Sequence, residues 1–169
     1  MYEPPSKEFP RRFPFFWIVR VHNAYILEME RALKTVDLDV PTWRALGLLR
    51  EHGPLSVSEL ARESVIKLST VTRTIYRMKS DGLVDTTVSP EDARVTVVTP
   101  TAAGLAALER SDPLVQHLFD RCFDGLAPSQ VARANEVLAQ VLSNLSPRYS
   151  KSELPPLATA PSAPKRKSA

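Results

Sequence analysis

The segment that decides the fold runs from Ser56 to Thr99 and reads SVSELARESVIKLSTVTRTIYRMKSDGLVDTTVSPEDARVTVVT. It predicts a helix, a turn, a second helix and a two-stranded hairpin. The second helix, between Lys67 and Ser80, contains basic side chains and no acidic one. The whole chain carries 22 basic and 19 acidic residues, a net charge of +3, so it would need a local patch to bind a polyanion. A cationic helix with hydroxyls at its start suits DNA.

Local signals set the limits of these elements. Ser56 and Glu59 have the spacing of a capping box and predict the start of the first helix. Gly82 predicts the end of the second helix, because glycine adopts the left-handed conformation found just after many helices. Steps of three, four and three residues predict one buried stripe on the second helix, formed by Leu68, Val71, Ile75 and Met78.

The remaining chain predicts further helices around this segment. Pro41 and Gly53 mark the start and end of a short helix, and Asp112-Pro113 either starts a new helix or kinks the preceding one. A tail rich in Pro, Ser and Ala is too poor in large apolar residues to fold. The predicted organisation is an irregular arm (1–14), a dimerisation helix (15–36), a winged helix-turn-helix lobe (37–100), C-terminal dimerisation helices (101–146) and a disordered tail (147–169).

The first helix and the last two helices carry more apolar residues than a small lobe can cover. We expect a second copy of the chain to cover these faces, since symmetric dimers are the commonest oligomers. Cys122 lies on such an apolar stripe and is expected to be a small core residue rather than a redox sensor.

The segment resembles the MarR family of bacterial transcriptional regulators, the multiple-antibiotic-resistance regulators. SELARESVIKLSTVTRTIYRMKSDGLV is similar to the family's helix-turn-helix, and SPEDARVTVVTPTAAG is similar to its wing. The resemblance covers about residues 13–146. It implies a mainly α fold with a small β wing, in which a winged helix-turn-helix DNA-binding lobe joins a helical dimerisation lobe.

In a winged helix-turn-helix, the second helix enters the major groove of double-stranded DNA. Arg73 is the predicted guanine contact, because a guanidinium can bond both acceptors on that base edge. Arg77 is predicted to contact phosphate. Ser69 has two open roles, as a helix cap and as a DNA contact. The predicted DNA-binding residues are Lys67, Ser69, Thr70, Thr72, Arg73, Arg77, Asp92 and Arg94.

At the tip of the wing, Arg94 is predicted to enter the minor groove, where A·T-rich sequence concentrates negative potential. The family resemblance implies that Asp92 braces this side chain through an ion pair. The alternative is a solvated hairpin tip with a surface ion pair worth ~0 to 1 kcal/mol.

The resemblance also implies a small-molecule effector that alters DNA affinity. Two tryptophans near arginines could hold an aromatic carboxylate by stacking and a charge-assisted bond, which indicates a phenolic or aromatic acid. The alternative is that the tryptophans belong to the core and the arginines to the surface. The predicted lining residues are Phe16, Trp17, Arg20, Asn23, Trp43 and Arg44.

The chain is therefore predicted to be a ligand-responsive, dimeric transcriptional regulator that binds palindromic duplex DNA. The family resemblance implies a repressor, since most members are repressors. The alternative is a winged-helix module that binds protein. No phosphate loop, nucleophile elbow or paired metal ligands indicate an enzyme, a cofactor or a metal site. The apolar run from Phe13 to Val19 is too short to span a membrane, and the single cysteine favours the cytoplasm.

Overall fold

The computed structural model describes residues 13–145, which form six helices and a small three-stranded antiparallel sheet. This arrangement confirms the predicted mainly α fold class. The predicted tail, and the predicted arm before Phe13, lie outside the described residues. The elements are α1 (Pro14–Lys34), α2 (Val40–His52), β1 (Leu55–Ser56), α3 (Val57–Glu63), α4 (Leu68–Ser80), β2 (Val84–Val88), β3 (Thr96–Pro100), α5 (Ala102–Cys122) and α6 (Pro128–Leu145).

The helix starts follow from caps and prolines. Helix α1 begins with Pro14, whose missing N–H is not needed in the first turn. The Asp39 carboxylate caps α2 by accepting a 2.8 Å hydrogen bond from the Thr42 amide. The capping box of α3 is complete, with the Glu59 amide donating to Ser56 Oγ at 3.1 Å and the Ser56 amide donating to Glu59 Oε2 at 2.7 Å. The predicted start of α3 is therefore confirmed.

The sheet has the order β1-β3-β2, with both pairings antiparallel. Strands β2 and β3 form the predicted hairpin, and Val84 pairs with Pro100 at its base. Strand β1 was not predicted. Its two residues are too few to show an alternating pattern, and it exists because Leu55 pairs with Val98.

Residues 13–119 form one compact unit, and a second unit begins at Asp120. The core of the first unit receives side chains from α1 to α5 and from the sheet. On α4, the buried residues are Val71, Ile75 and Met78. The tightly packed α4 therefore presents its opposite face to solvent. The most deeply buried apolar side chains are Met29, Leu33, Leu46, Leu49, Leu60, Met78, Val84, Val98 and Leu108.

The second unit contains α6. The amide of Ala127 donates to Gln130 Oε1 at 2.8 Å, just before the helix begins at Pro128. None of the α6 side chains is buried in the described chain. Large apolar side chains such as Val137, Leu138 and Leu145 remain exposed.

Three expectations need correction. Leu68 is 52% exposed rather than buried, because helical side chains lean towards the N-terminus and Leu68 is the first residue of α4. Of the two alternatives at Pro113, the start of a new helix is wrong, since α5 continues through this residue and buries Val115 and Leu118 beyond it. Cys122 is exposed at the end of α5 rather than in the core. No helix within residues 13–145 is long and apolar enough to cross a membrane.

Candidate nucleic-acid interface

The turn between α3 and α4 sets the direction of the basic helix. The Val65 amide donates to the Arg62 carbonyl at 3.1 Å, and the Ile66 amide donates to the Ala61 carbonyl at 3.1 Å. Val65 makes this turn with a φ of 55°, a left-handed conformation that is unfavourable for a β-branched residue. The turn and the apolar stripe together fix α4 against α3, with its basic face outward.

The start of α4 presents Lys67, Ser69 and Thr70, and Arg73 follows in the second turn; all four are exposed. Lys67 occupies the N-cap position, where no side chain makes a capping hydrogen bond. The capping role considered for Ser69 is therefore wrong. Its hydroxyl lies on the outer face of the helix beside Arg73.

Thr72 is half-buried, and its hydroxyl donates to the Leu68 carbonyl at 2.8 Å. Thr74 makes the equivalent bond to the Thr70 carbonyl at 3.2 Å. A hydroxyl whose proton is already committed can only accept a further hydrogen bond. In this conformation Thr72 could therefore accept from a base amino group but could not donate to a base.

Arg77 has partners inside the protein. Its Nη2 lies 2.5 Å from Asp39 Oδ2 and donates to Thr42 Oγ1 at 3.2 Å. The predicted phosphate contact of Arg77 stays a prediction, but its charge is already paired. One turn earlier, within residues 13–145, the structure pairs Arg73 with no acidic side chain.

Further along the helix, Lys79 Nζ donates to Thr86 Oγ1 at 2.7 Å. This bond joins the end of α4 to β2, the first strand of the wing. The recognition helix and the wing are thereby linked on the solvent side as well as through the core.

At the tip of the wing, Arg94 Nε donates to Asp92 Oδ1 at 3.1 Å and Nη2 donates to Oδ2 at 3.2 Å. The Arg94 amide also donates to Asp92 Oδ1, at 2.9 Å. The Arg94 side-chain bonds, and then its amide, hold the pKa of Asp92 below its ordinary value. The ion pair implied by the family resemblance is present, and the Arg94 side chain is 91% exposed.

Sequence reasoning missed one residue on the outer face of α4. Tyr76 is 73% exposed and follows Arg73 by three residues and Ser69 by seven, so all three share a face. The helical periodicity that identified the buried stripe of α4 could also have placed Tyr76 on the outer face of this helix. An exposed aromatic ring on this face adds an apolar, hydrogen-bonding contact next to the basic one.

Three of the predicted effector residues form a cluster on α1. The rings of Phe16 and Trp17 meet edge to face with their centroids 5.1 Å apart. The guanidinium of Arg20 lies over the Phe16 ring, 5.5 Å from its centroid. The cluster is exposed to solvent on one side, since Trp17 is 51% exposed.

The other three predicted effector residues have different surroundings. Trp43 is partly buried and packs against the hydrophobic core, as the core alternative expects. Arg44 is half-buried on α2, and Asn23 is exposed on α1. Among the described residues, no group of three or more His, Cys, Asp or Glu side chains could hold a metal ion.

A basic helix held by a helix-turn-helix beside a charged hairpin defines a winged-helix DNA-binding protein. The model of the MarR family matches residues 36–95 of the chain. The chain is also 50% identical over 145 residues to the HTH-type transcriptional repressor IacR from Pseudomonas putida, covering 85% of this chain and 87% of that protein. The chain belongs to the MarR family and is a DNA-binding transcriptional regulator, not an enzyme.

Solved structures agree with this assignment. A MarR mutant from E. coli complexed with operator DNA is similar with a TM-score of 0.72 and 25% identity, over 81% of this chain and 99% of that chain. BpsR from Bordetella bronchiseptica, whose DNA binding is regulated by 6-hydroxynicotinic acid, has the same fold with a TM-score of 0.72 and 22% identity, over 82% of this chain and 97% of that chain.

Proposed function

We propose that this protein is a dimeric repressor that reads a palindromic duplex with α4 and is released by an aromatic or phenolic acid. The observation that carries the proposal is the outer face of α4, which is exposed, basic and free of acidic residues from Lys67 to Ser80. A helix of this kind fits the major groove, where each base pair presents a distinct pattern of donors and acceptors.

Within this face, the residues divide by position and chemistry. Arg73 lies on the middle of the exposed face and reads guanine through O6 and N7. Tyr76 lies beside it and offers its ring to a thymine methyl group or its hydroxyl to a phosphate. At the start of the helix, Lys67, Ser69 and Thr70 set the register on the DNA backbone. Thr72, whose hydroxyl proton is donated to the Leu68 carbonyl, accepts a hydrogen bond from a base amino group instead.

The wing supplies a second contact. Arg94 extends into the minor groove, and Asp92 limits the conformations that its guanidinium can adopt. A side chain that is already ordered loses less entropy on binding. This role of Asp92 is to orient Arg94 and not to touch DNA.

The apolar residues left exposed in both units support a homodimer. In the first unit they include Val19, Val21 and Leu27 on α1, and in the second unit they include Val137 and Leu138 on α6. Exposed large apolar side chains of this number are what an interface would cover. A symmetric dimer would present α4 twice and match half-sites about 34–36 Å apart.

The α1 cluster supports an aromatic acid as the effector. Phe16 and Trp17 offer faces and edges for stacking, and Arg20 offers a charge for a carboxylate; Asn23, Trp43 and Arg44 complete the proposed set. A related structure, BpsR, is regulated by an acid of this chemical class. The effector lowers DNA affinity to the extent that it prefers a conformation that does not fit the groove. Repression is supported by the 50% identical relative IacR, which is a transcriptional repressor.

A footprint on the DNA immediately upstream of the protein's own gene tests whether α4 binds a palindrome sequence-specifically. We expect protection of a palindrome and a loss of affinity of about 5- to 150-fold for Arg73→Ala, the range for one bidentate base contact. Arg110→Ala, an exposed arginine on α5, is the matched control and should bind as the wild type does. Equal affinity for Arg73→Ala and the wild type would contradict the proposal.

Competition with a panel of aromatic acids tests the effector. One acid should remove the protection, and Arg20→Gln should require more of it while binding DNA normally. Arg31→Gln, an exposed arginine elsewhere on α1, is the control. If no aromatic acid shifts DNA binding, the effector class is wrong, whereas the DNA-binding proposal stands on the footprint.

The oligomeric state tests the dimer. Light scattering should give twice the chain mass of 18.8 kDa, and Leu138→Glu on the exposed face of α6 should lower it towards one chain. Asn135→Glu on the same helix is the control. A monomeric wild type that still protects a palindrome would contradict the dimer.

A further inference from the structure

Asp39 has two structural roles at once. It is the N-cap of α2, where Oδ1 accepts the hydrogen bond of the Thr42 amide at 2.8 Å. Its other oxygen, Oδ2, lies 2.5 Å from Nη2 of Arg77 on α4. The same Nη2 donates to Thr42 Oγ1 at 3.2 Å. A cation of the recognition helix is thus held by the first turn of a different helix.

We propose that Asp39 is a positioning residue that keeps Arg77 away from DNA phosphates and so limits the electrostatic part of DNA binding. The inference rests on the proposed role of α4 in DNA binding. It changes the roles expected of the two arginines on that helix. Arg73 is available to DNA, whereas Arg77, one turn further on, is committed to the protein.

The geometry explains why this pair resists exchange. Surface ion pairs are usually weak because two flexible side chains must be ordered to form them. Here the short side chain of Asp39 is already fixed by the Thr42 amide, and Arg77 meets two acceptors, so less side-chain freedom remains to be lost. The pair is also only partly exposed, with 51% of the Arg77 side chain and 44% of the Asp39 side chain accessible.

The alternative conformation, in which Arg77 contacts a DNA phosphate, is electrostatically unfavourable. If Arg77 turned to a phosphate, the Asp39 carboxylate would remain unpaired close to a polyanion. Like charges at short range repel each other, and the repulsion offsets the gain from the new contact. The pair should therefore persist in the complex and reduce affinity for every duplex alike, since phosphate contacts carry no sequence information.

Salt dependence separates the two states. Each phosphate neutralised by a cationic side chain makes the slope of log K against log salt steeper by about 0.9. We would measure binding of the full chain to a fluorescent duplex of mixed sequence by anisotropy over a series of salt concentrations. The variants are Arg77→Ala, Asp39→Asn and the double variant.

Asn is the informative replacement, because its side-chain oxygen can still cap α2 while its charge is gone. Arg77→Ala alone should leave the slope unchanged. Asp39→Asn should make the slope steeper by about 0.9, because Arg77 is released to a phosphate. The double variant should return to the wild-type slope. Asp39→Ser, another good cap, should repeat the effect of Asp39→Asn if one of the two folds poorly.

Glu109→Gln, which removes an exposed carboxylate on α5, controls for the change in net charge. The proposal is wrong if Arg77→Ala flattens the slope by about 0.9 in the otherwise unchanged chain, since Arg77 would then already contact a phosphate. It is also wrong if Asp39→Asn steepens the slope no more than Glu109→Gln does.

Arg73→Ala distinguishes this failure from a failure of the proposed function. If Arg73→Ala weakens binding to the footprinted palindrome while the Arg77 and Asp39 variants do not behave as expected, only the inference about Asp39 is overturned. If Arg73→Ala binds that palindrome as the wild type does, α4 does not read the DNA and both proposals are overturned.

Discussion

Gly104, near the start of α5, packs against the backbone of Leu83 in the turn between α4 and β2. A Cβ atom added at this position would lie 2.1 Å from the backbone oxygen of Leu83 and 3.0 Å from Cδ2 of Leu46. The Leu83 oxygen is itself in use, because it accepts the amide of Thr101 at 3.1 Å. We predict that Gly104→Ala destabilises the protein by separating these elements.

The size of the effect follows from these contacts. An ordinary contact needs at least 3.4 Å, so backbone must move by more than 1 Å, and backbone cannot rotate away as a side chain can. Overpacking of this kind costs about 1–3 kcal/mol, and loss of the hydrogen bond to Leu83 adds about 1 kcal/mol. Alanine's better helix propensity returns about 1 kcal/mol. The net loss in free energy of unfolding is about 1–3 kcal/mol.

Urea denaturation at a fixed protein concentration measures this loss. With a slope of roughly 2 kcal/mol per M, the urea midpoint should fall by about 0.5–1.5 M. Gly47→Ala is the matched control, because Gly47 also lies in a helix and no atom lies within 4 Å of its added Cβ. That variant should gain up to about 1 kcal/mol. A midpoint for Gly104→Ala equal to or above that of the wild type would refute the reasoning.

Three other predictions concern the turn, the cap and the wing. Val65→Gly should raise the urea midpoint, because removing a left-handed β-branched residue stabilises the protein by about 1–2 kcal/mol. Glycine's greater freedom in the unfolded chain offsets about 0.5–1 kcal/mol of this gain. An unchanged or lower midpoint counts against strain at this turn. Hydrogen bonds from the Ser56 amide, and then from its side chain, lower the pKa of Glu59 below 4.5. This carboxylate therefore contributes stability that is present above pH 4.5 and lost as the pH falls through the lowered pKa. Glu59→Gln, which keeps the capping box, should therefore unfold with a weaker acid dependence below pH 4.5, and an unaltered pH profile would contradict this. In Arg94→Ala the pKa of Asp92 should rise towards its ordinary value of 3.8, measured by NMR titration, and a pKa that does not move would show that the guanidinium is not its cause.

The sequence predicted the local structure of the DNA-binding lobe well. The capping box at Ser56, the proline of α2 and the glycine after α4 act within a few residues, so their signals are readable in the chain itself. The hairpin was also predictable, because two alternating β-branched segments flank a charged turn. The failures arose at element ends, where Leu68 lost its burial, and in α5, where tertiary packing carried the helix through Pro113.

The sequence by itself determined which helix is basic, because the residues between Lys67 and Ser80 are fixed by the chain. Only the tertiary structure decided which of those charges are available, since the Asp39 that pairs with Arg77 lies far away in sequence, at the N-cap of α2. The same holds for the ion pair of Arg50 with Asp112, which joins α2 to α5 at 2.7 Å. Periodicity and caps act through neighbouring residues, whereas a charge can be paired by any residue that folding brings within a few ångströms.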